Sequence, residues 1–374
     1  MPHRPHYLVR GVLAASLLLG AAIPAAAQSD ILLRLRSGSP LGDRVRVDSA
    51  GGFVAMGQIG YGIIPASGAG WRMMWYPSKT AFRAGYADAG NQFDDANIGY
   101  YSWAGGALNI AAGIYSFAMG NQNTVEASAQ CGVALGSGNK VYGSGGNIGT
   151  CGLALGLNNS VLDQAGVAIG QNAWSDGDAA VAIGYRSTAD ADYSMAFGYR
   201  ASTNGHTGAK VFGDASTTDS IEAAANNEFA VRAAGGFRFR TNATLTTGCN
   251  LPAGSGVFSC ASSRTLKDHV APAEGEEVLA RMRGVPVNFW SYTAEGAQVR
   301  HLGPFAEDFR AAFGLGVDDR SIGLLDIDGV NFAAARALEE RTATQAERIR
   351  ALEAQVAELR SMVQALAAQQ APQR

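Results

Sequence analysis

A five-residue unit of the form small-apolar-Ala-apolar-Gly recurs between Ser116 and Gly213, and this repeat restricts the possible folds more than any other feature of the chain. The copies are Ser116-Phe117-Ala118-Met119-Gly120, Gly132-Val133-Ala134-Leu135-Gly136, Gly152-Leu153-Ala154-Leu155-Gly156, Gly166-Val167-Ala168-Ile169-Gly170, Ala180-Val181-Ala182-Ile183-Gly184 and Ser194-Met195-Ala196-Phe197-Gly198. A weaker copy ends at Gly213. Gly156, Gly170, Gly184 and Gly198 stand 14 residues apart, and the longer earlier intervals read as loops. Bulky and small residues alternate within each unit, the period of a strand whose two faces differ in bulk. The pattern predicts that the bulky side chains fill the interior of a coil and that the small face lets another chain approach closely. Each glycine is expected to end its strand in a tight turn. One repeat cannot bury its own apolar face, so the copies must stack, about 4.8 Å apart.

This run resembles the head of trimeric autotransporter adhesins. The resemblance implies three left-handed β-rolls packed together; a single-chain β-solenoid fits the same pattern. Cys131 and Cys151 immediately precede the repeat glycines Gly132 and Gly152, so stacked rungs place them side by side and predict a disulfide between rungs. Cys249 and Cys260 form a second candidate pair. The spacings fit no zinc pattern and the five histidines are scattered, so neither a metal nor any other cofactor is expected.

Oxidised cysteines require export, and the N-terminus reads as a secretion signal. Arg4 and Arg10 precede the apolar run Gly11 to Ile23, and Ala25-Ala26-Ala27 is a small-residue cleavage site. The run is shorter than the roughly 20 residues of a spanning helix, and no later segment is apolar enough, so no transmembrane segment is expected after signal removal. A secreted or cell-surface protein follows. The net charge of -3 and the 16% of charged residues give no reason to expect a nucleic-acid partner.

Before the repeats, the aromatics of Trp71 to Pro77 and Phe93 to Trp103 read as an N-terminal cap over the first rung, with a sugar platform as the alternative. After them, Phe229 to Arg232 and Gly236 to Arg240 alternate like strands of a neck. Asp94 and Asp95 are adjacent and would point to opposite faces of a strand. They read as surface or turn residues, not as the paired acids of a glycosidase.

Chemistry becomes arguable at Ser262-Ser263-Arg264-Thr265-Leu266-Lys267. A serine hydroxyl needs a base, which a lysine made neutral by burial can supply. Five residues on a regular helix span about 140°, so the pair meets only if Ser262 precedes the helix or if the dyad forms between chains. With Val285-Pro286-Val287-Asn288-Phe289-Trp290-Ser291-Tyr292 and His301-Leu302-Gly303-Pro304-Phe305-Ala306-Glu307-Asp308-Phe309, this segment resembles the intramolecular chaperone auto-processing domain of phage tail spikes and endosialidases, serine peptidase family seventy-four. The resemblance implies that Ser262 is the nucleophile, Lys267 its general base and the Ala261–Ser262 peptide the bond cut. The chain would then act once, on itself. Ser263 stands where the family often has Asp, and Glu307 where it commonly has Gln.

Ile349, Leu352, Val356, Leu359, Val363 and Leu366 alternate spacings of three and four, as a coiled coil requires. Their a and d residues alone favour two strands, whereas both resemblances imply three; an amphipathic helix folding back on the chaperone is the other reading.

The expected fold is therefore mainly β: a trimeric left-handed β-roll or solenoid head, a small α/β chaperone domain and a C-terminal coiled coil. Its segments are a signal peptide at 1–27, an N-terminal cap region at 28–108, the roll at 109–215, a β neck at 216–261, the self-cleaving chaperone at 262–331 and a coiled coil with a polar tail at 332–374. The expected partners are two further copies of the chain and a surface glycan or host receptor. The expected function is a trimeric adhesin-like fibre assembled by a self-releasing chaperone. A non-cleaving trimeric surface protein and a polysaccharide-binding fibre are the alternatives.

Overall fold

A computed structural model describes residues 31–37, 42–143, 151–296 and 298–369; the signal segment and the last five residues lie outside the described residues. The described residues fall into two compact units, divided between Cys260 and Ala261.

The first unit is dominated by a β-solenoid of about eight turns. Each turn contributes one long strand, such as Val167–Gln171, and one short strand, such as Trp174–Ser175. The long strands pair in parallel, in register, glycine opposite glycine: Val133–Ser137 on Leu153–Leu157, then Val167–Gln171, Val181–Tyr185 and Met195–Tyr199. The short strands form a second parallel sheet from Ile110–Ala111 to Ile221–Glu222. Phe229–Arg232, expected in a neck, instead completes the long-strand sheet by pairing with Lys210–Gly213.

The two faces of the repeat are reversed from the sequence expectation. The repeat alanines, Ala118, Ala134, Ala154, Ala168, Ala182 and Ala196, are fully buried. The bulky residues on either side of them point outward and are half-buried or exposed, Met119, Leu155 and Phe212 among them. The small face is thus the interior and the bulky face the outside. The cause is the narrow bore of the coil. Opposite the alanines, the short strands insert Val125, Val141 and Val161, and the corner between the strands is filled by Asn109, Asn123, Asn139 and Asn159, all fully buried. On these rungs a methyl group fills the space that remains, and Val211 takes the same inward position one rung after Ala196.

The asparagines form a ladder that satisfies the buried corner. The Oδ1 of Asn109 accepts from the side-chain Nδ2 of Asn123 at 2.9 Å and from its backbone N–H at 3.0 Å, and Asn139 and Asn159 repeat the pattern. Each Nδ2 also donates to the glycine carbonyl of the next rung, as Asn139 does to Gly156 at 2.7 Å. A buried amide left unmade would cost about 1–3 kcal/mol, and from Asn109 to Asn159 each rung supplies the next one's partner.

Contrary to the sequence expectation, the repeat glycines do not end their strands in a turn; the close approach of neighbouring rungs requires them. Gly170 lies inside its strand with φ +120, and a Cβ there would stand 2.1 Å from the carbonyl oxygen of Gly184. The left-handed turn comes two residues later, at Asn172 with φ 55.

At the N-terminal end the antiparallel hairpin of Gly70–Tyr76 and Ala81–Ala87 extends the sheet, with the second strand parallel to Trp103–Ala107. It places Arg83 over the end of the interior, fully buried. The guanidinium donates to the carbonyls of Phe82, Ser102 and Ala111 and to the Ser102 hydroxyl, and burial pulls its pKa down to about 10. Asp94 and Asp95 are held locally: Asp94 accepts from the Gly68 N–H at 2.6 Å, and Asp95 accepts from the Tyr76 hydroxyl at 2.9 Å and pairs with Lys79 at 3.1 Å. The Tyr76 hydrogen bond, followed by Lys79, holds Asp95 below the usual carboxylate range. A small antiparallel sheet, Ile31–Ser37, Gly42–Asp48 and Phe53–Ala55, precedes this hairpin, and another, Gly236–Arg240, Gly248–Pro252 and Ser259–Cys260, follows the solenoid.

The second unit comprises three helices, α1 (Gly275–Met282), α2 (Ala306–Phe313) and α3 (Leu324–Gln369), and a hairpin of Asn288–Trp290 with His301–Gly303. α1 lies against the first part of α3, where Arg341 pairs with Glu276. Only Phe309, Val330, Ala334 and Ala337 are buried apolar residues among the described residues of this unit. The heptad residues Ile349, Leu352, Val356, Leu359, Val363 and Leu366 are all exposed, so this stretch does not fold back on the rest of the second unit. No helix of the described residues is long and apolar enough to cross a membrane.

Candidate functional site

The last strand of the first unit ends at Cys260, and Ser262 follows in extended chain before any helix begins. Ser263 caps the single 3-10 turn Arg264–Leu266, its hydroxyl accepting from the Thr265 N–H at 3.3 Å. The turn closes when the Lys267 N–H donates to the Arg264 carbonyl at 3.2 Å. It thereby folds Lys267 back over Ser262, and the Lys267 Nζ donates to the Ser262 Oγ at 2.8 Å. The non-helical serine demanded by the five-residue spacing is what the chain provides, and the contact forms within one chain. Both side chains are exposed. In this state the amine is a donor; a base must instead be neutral and accept the hydroxyl proton, which calls for desolvation.

The two other stretches of the chaperone resemblance meet in one hairpin. Trp290 pairs with His301, and their rings stack with centroids 4.6 Å apart. The His301 Nε2 lies 2.8 Å from the Glu295 carboxylate. Glu307, Arg320 and Tyr292 line an open pocket of about 700 Å³ beside Trp290.

Both expected disulfides are present. Cys131 and Cys151 are bonded with Cα atoms 4.8 Å apart, the separation of adjacent rungs. Cys249 and Cys260 face each other across antiparallel strands, with Cα atoms 3.9 Å apart. Among the described residues no group of acids, histidines and cysteines is arranged to hold a metal ion.

Sequence reasoning assigned the outward stripe to the wrong face and missed the asparagine ladder. A signal for the ladder exists, since Asn109, Asn123, Asn139 and Asn159 each stand three residues after a repeat glycine. It also missed Trp174, which stands between Ser160 and Thr188 in its column of the short strands.

Residues 164–187 and 175–201 match two copies of the YadA head domain repeat. No curated protein and no solved structure matched the chain. The matched residues cover the repeat units that end at Gly170, Gly184 and Gly198, and the YadA head repeat fits the head-like repeats.

Proposed function

We propose that the chain is a homotrimeric, adhesin-like surface fibre whose C-terminal unit aligns three copies and is then released by cleavage before Ser262. The observation that carries this reading is the outward bulky stripe. Val133, Leu153, Val167, Val181 and Met195 form one column, and Met119, Leu135, Leu155, Ile169, Ile183 and Phe197 form a second beside it. Eight rungs at about 4.8 Å extend this surface for roughly 35 Å, far beyond the scattered apolar side chains of a monomer. Two further copies would cover it, and the exposed heptads of α3 call for the same remedy.

The cut follows from the dyad once it is desolvated. A neutral Lys267 amine takes the hydroxyl proton of Ser262, and the Oγ bonds to the carbonyl carbon of Ala261. The Ala261–Ser262 C–N bond then breaks, and the lysine returns the proton to the departing Ser262 nitrogen. Water hydrolyses the resulting ester, leaving a carboxylate on Ala261 and a free amine and hydroxyl on Ser262. Since one chain leaves the pair exposed, a second copy must supply the desolvation, and the cut waits for assembly. The two sequence departures at Ser263 and Glu307 favour a second reading, a trimerisation unit that stays attached.

Light scattering on the secreted protein should return the mass of three chains, and a lone chain's mass overturns the assembly. Intact-mass analysis should find a fragment beginning at Ser262, absent from Ser262→Ala and Lys267→Ala. A full-length wild type sinks the cleavage and leaves the second reading.

A further inference from the structure

The solenoid's short-strand sheet shares the buried core with the long-strand sheet, so its outward side chains belong to a face other than the bulky stripe. On that face an open groove of about 640 Å³ crosses four rungs, near the centre of the solenoid. One side is a column in which Lys140, Ser160 and Trp174 occupy successive rungs. The equivalent position is Thr124 on the rung before and Thr188 on the rung after. Trp174 therefore stands where the neighbouring rungs have a small or polar residue, and it is 42% exposed. Ser160 opens a slot between Trp174 and Lys140.

The other side runs from Glu126 past Tyr142 to Asp176, three rungs further on, about 14 Å at the ordinary strand spacing. Among the described residues, the carboxylates of Glu126 and Asp176 and the amine of Lys140 make no ion pair and no side-chain hydrogen bond. A shallow groove with an exposed indole, two open carboxylates and an amine suits a flat, hydroxyl-rich molecule. Such a ligand lays its C–H face on the ring and donates its hydroxyls to the carboxylates. Two negative groups against one positive group leave the lining net negative, which disfavours an acidic ligand.

We infer that this groove is a binding site for a neutral oligosaccharide, with Trp174 as its stacking platform and Glu126, Asp176 and Lys140 as its hydrogen-bonding rim. The inference rests on the surface-fibre reading for access to glycans, but one chain builds the whole groove. The test is titration calorimetry of the full secreted protein with cellotriose, chitotriose, mannotriose and β-1,4-galactotriose, and with sialyllactose as the acidic comparison. At least one neutral trisaccharide should bind more tightly than sialyllactose. Trp174→Thr, which restores the residue found at Thr124 and Thr188, should weaken that binding about tenfold or more, while the melting temperature and assembled mass stay as in wild type. Glu126→Gln with Asp176→Asn should weaken it by a smaller factor. Absence of binding by all four neutral sugars, a preference for sialyllactose, or equal binding by Trp174→Thr overturns the site. A lone-chain mass with sugar binding intact would sink the trimer and leave the groove standing.

Discussion

The solenoid and the C-terminal unit solve the problem of burial in opposite ways. In the solenoid each rung buries its neighbour, and the Ala and Val columns are closed to solvent without help from a second chain. The C-terminal unit buries four apolar side chains among its described residues and leaves Phe289, Leu302, Phe305, Leu324, Leu325, Phe332 and the heptads in the open. The first has an interior of its own and an apolar outer face; the second, in one chain, has only a small one.

The most direct way to break this contrast is Leu352→Lys combined with Leu359→Lys, made in the Ser262→Ala background so that the chain stays whole. The assembled mass should fall to that of one chain and the helical circular dichroism should diminish, while the melting transition of the β-roll persists. Loss of both transitions together would show that the roll depends on assembly as much as the helices do. Next in size, Gly170→Ala should destabilise the roll by at least about 3 kcal/mol, because it combines a forced left-handed backbone with a clash against Gly184. Thermal unfolding measures it, and the C-terminal transition should not move. Removing the inter-rung bridge with Cys131→Ser and Cys151→Ser should cost about 3 kcal/mol, again in the roll alone. In denatured, unreduced wild type a thiol assay should find no free cysteine.

Acid gives the smallest effect and separates two aspartates of the first unit. Asp178 is raised above the usual carboxylate range by desolvation and by the charges of Asp163 and Asp192. Its folded value exceeds its unfolded one, so ionising it costs stability as the pH rises through the raised value. Asp178→Asn should raise the melting temperature at pH 7, and the gain should vanish in acid. Asp214 is held far below that range, first by the Ser216 hydroxyl, then by the Ala234 N–H, with Arg232 adding to both. Its stabilisation is complete above the ordinary aspartate value of about 3.9 and is lost as the pH falls below it, so Asp214→Asn should destabilise at pH 7 and converge with wild type in strong acid.

The repeat period, the need for glycine and the pairing of Cys131 with Cys151 were all legible from spacing, because stacking converts sequence distance directly into neighbours. The inside of the coil was not. Alternation states that two faces differ and is silent on which is enclosed, a choice made by the bore that Val141 and Asn139 leave behind. Arg83 closing the end of the interior was equally hidden, since a lone arginine in a strand reads as exposed. At the site, the rotation between residues five apart required Ser262 to stand outside a helix, and it does. What surrounds the pair in an assembly was not legible, because both side chains are exposed in one chain.

The asparagine ladder has a consequence for how such a protein changes length. From Asn109 to Asn159 each rung presents the next with the same oxygen, amide and glycine carbonyl, so a turn duplicated within that stretch meets the same chemistry at its new junction. Each duplication lengthens the shaft by about 4.8 Å without a new packing problem to solve. The length of the solenoid thus becomes a heritable integer, open to selection one step at a time.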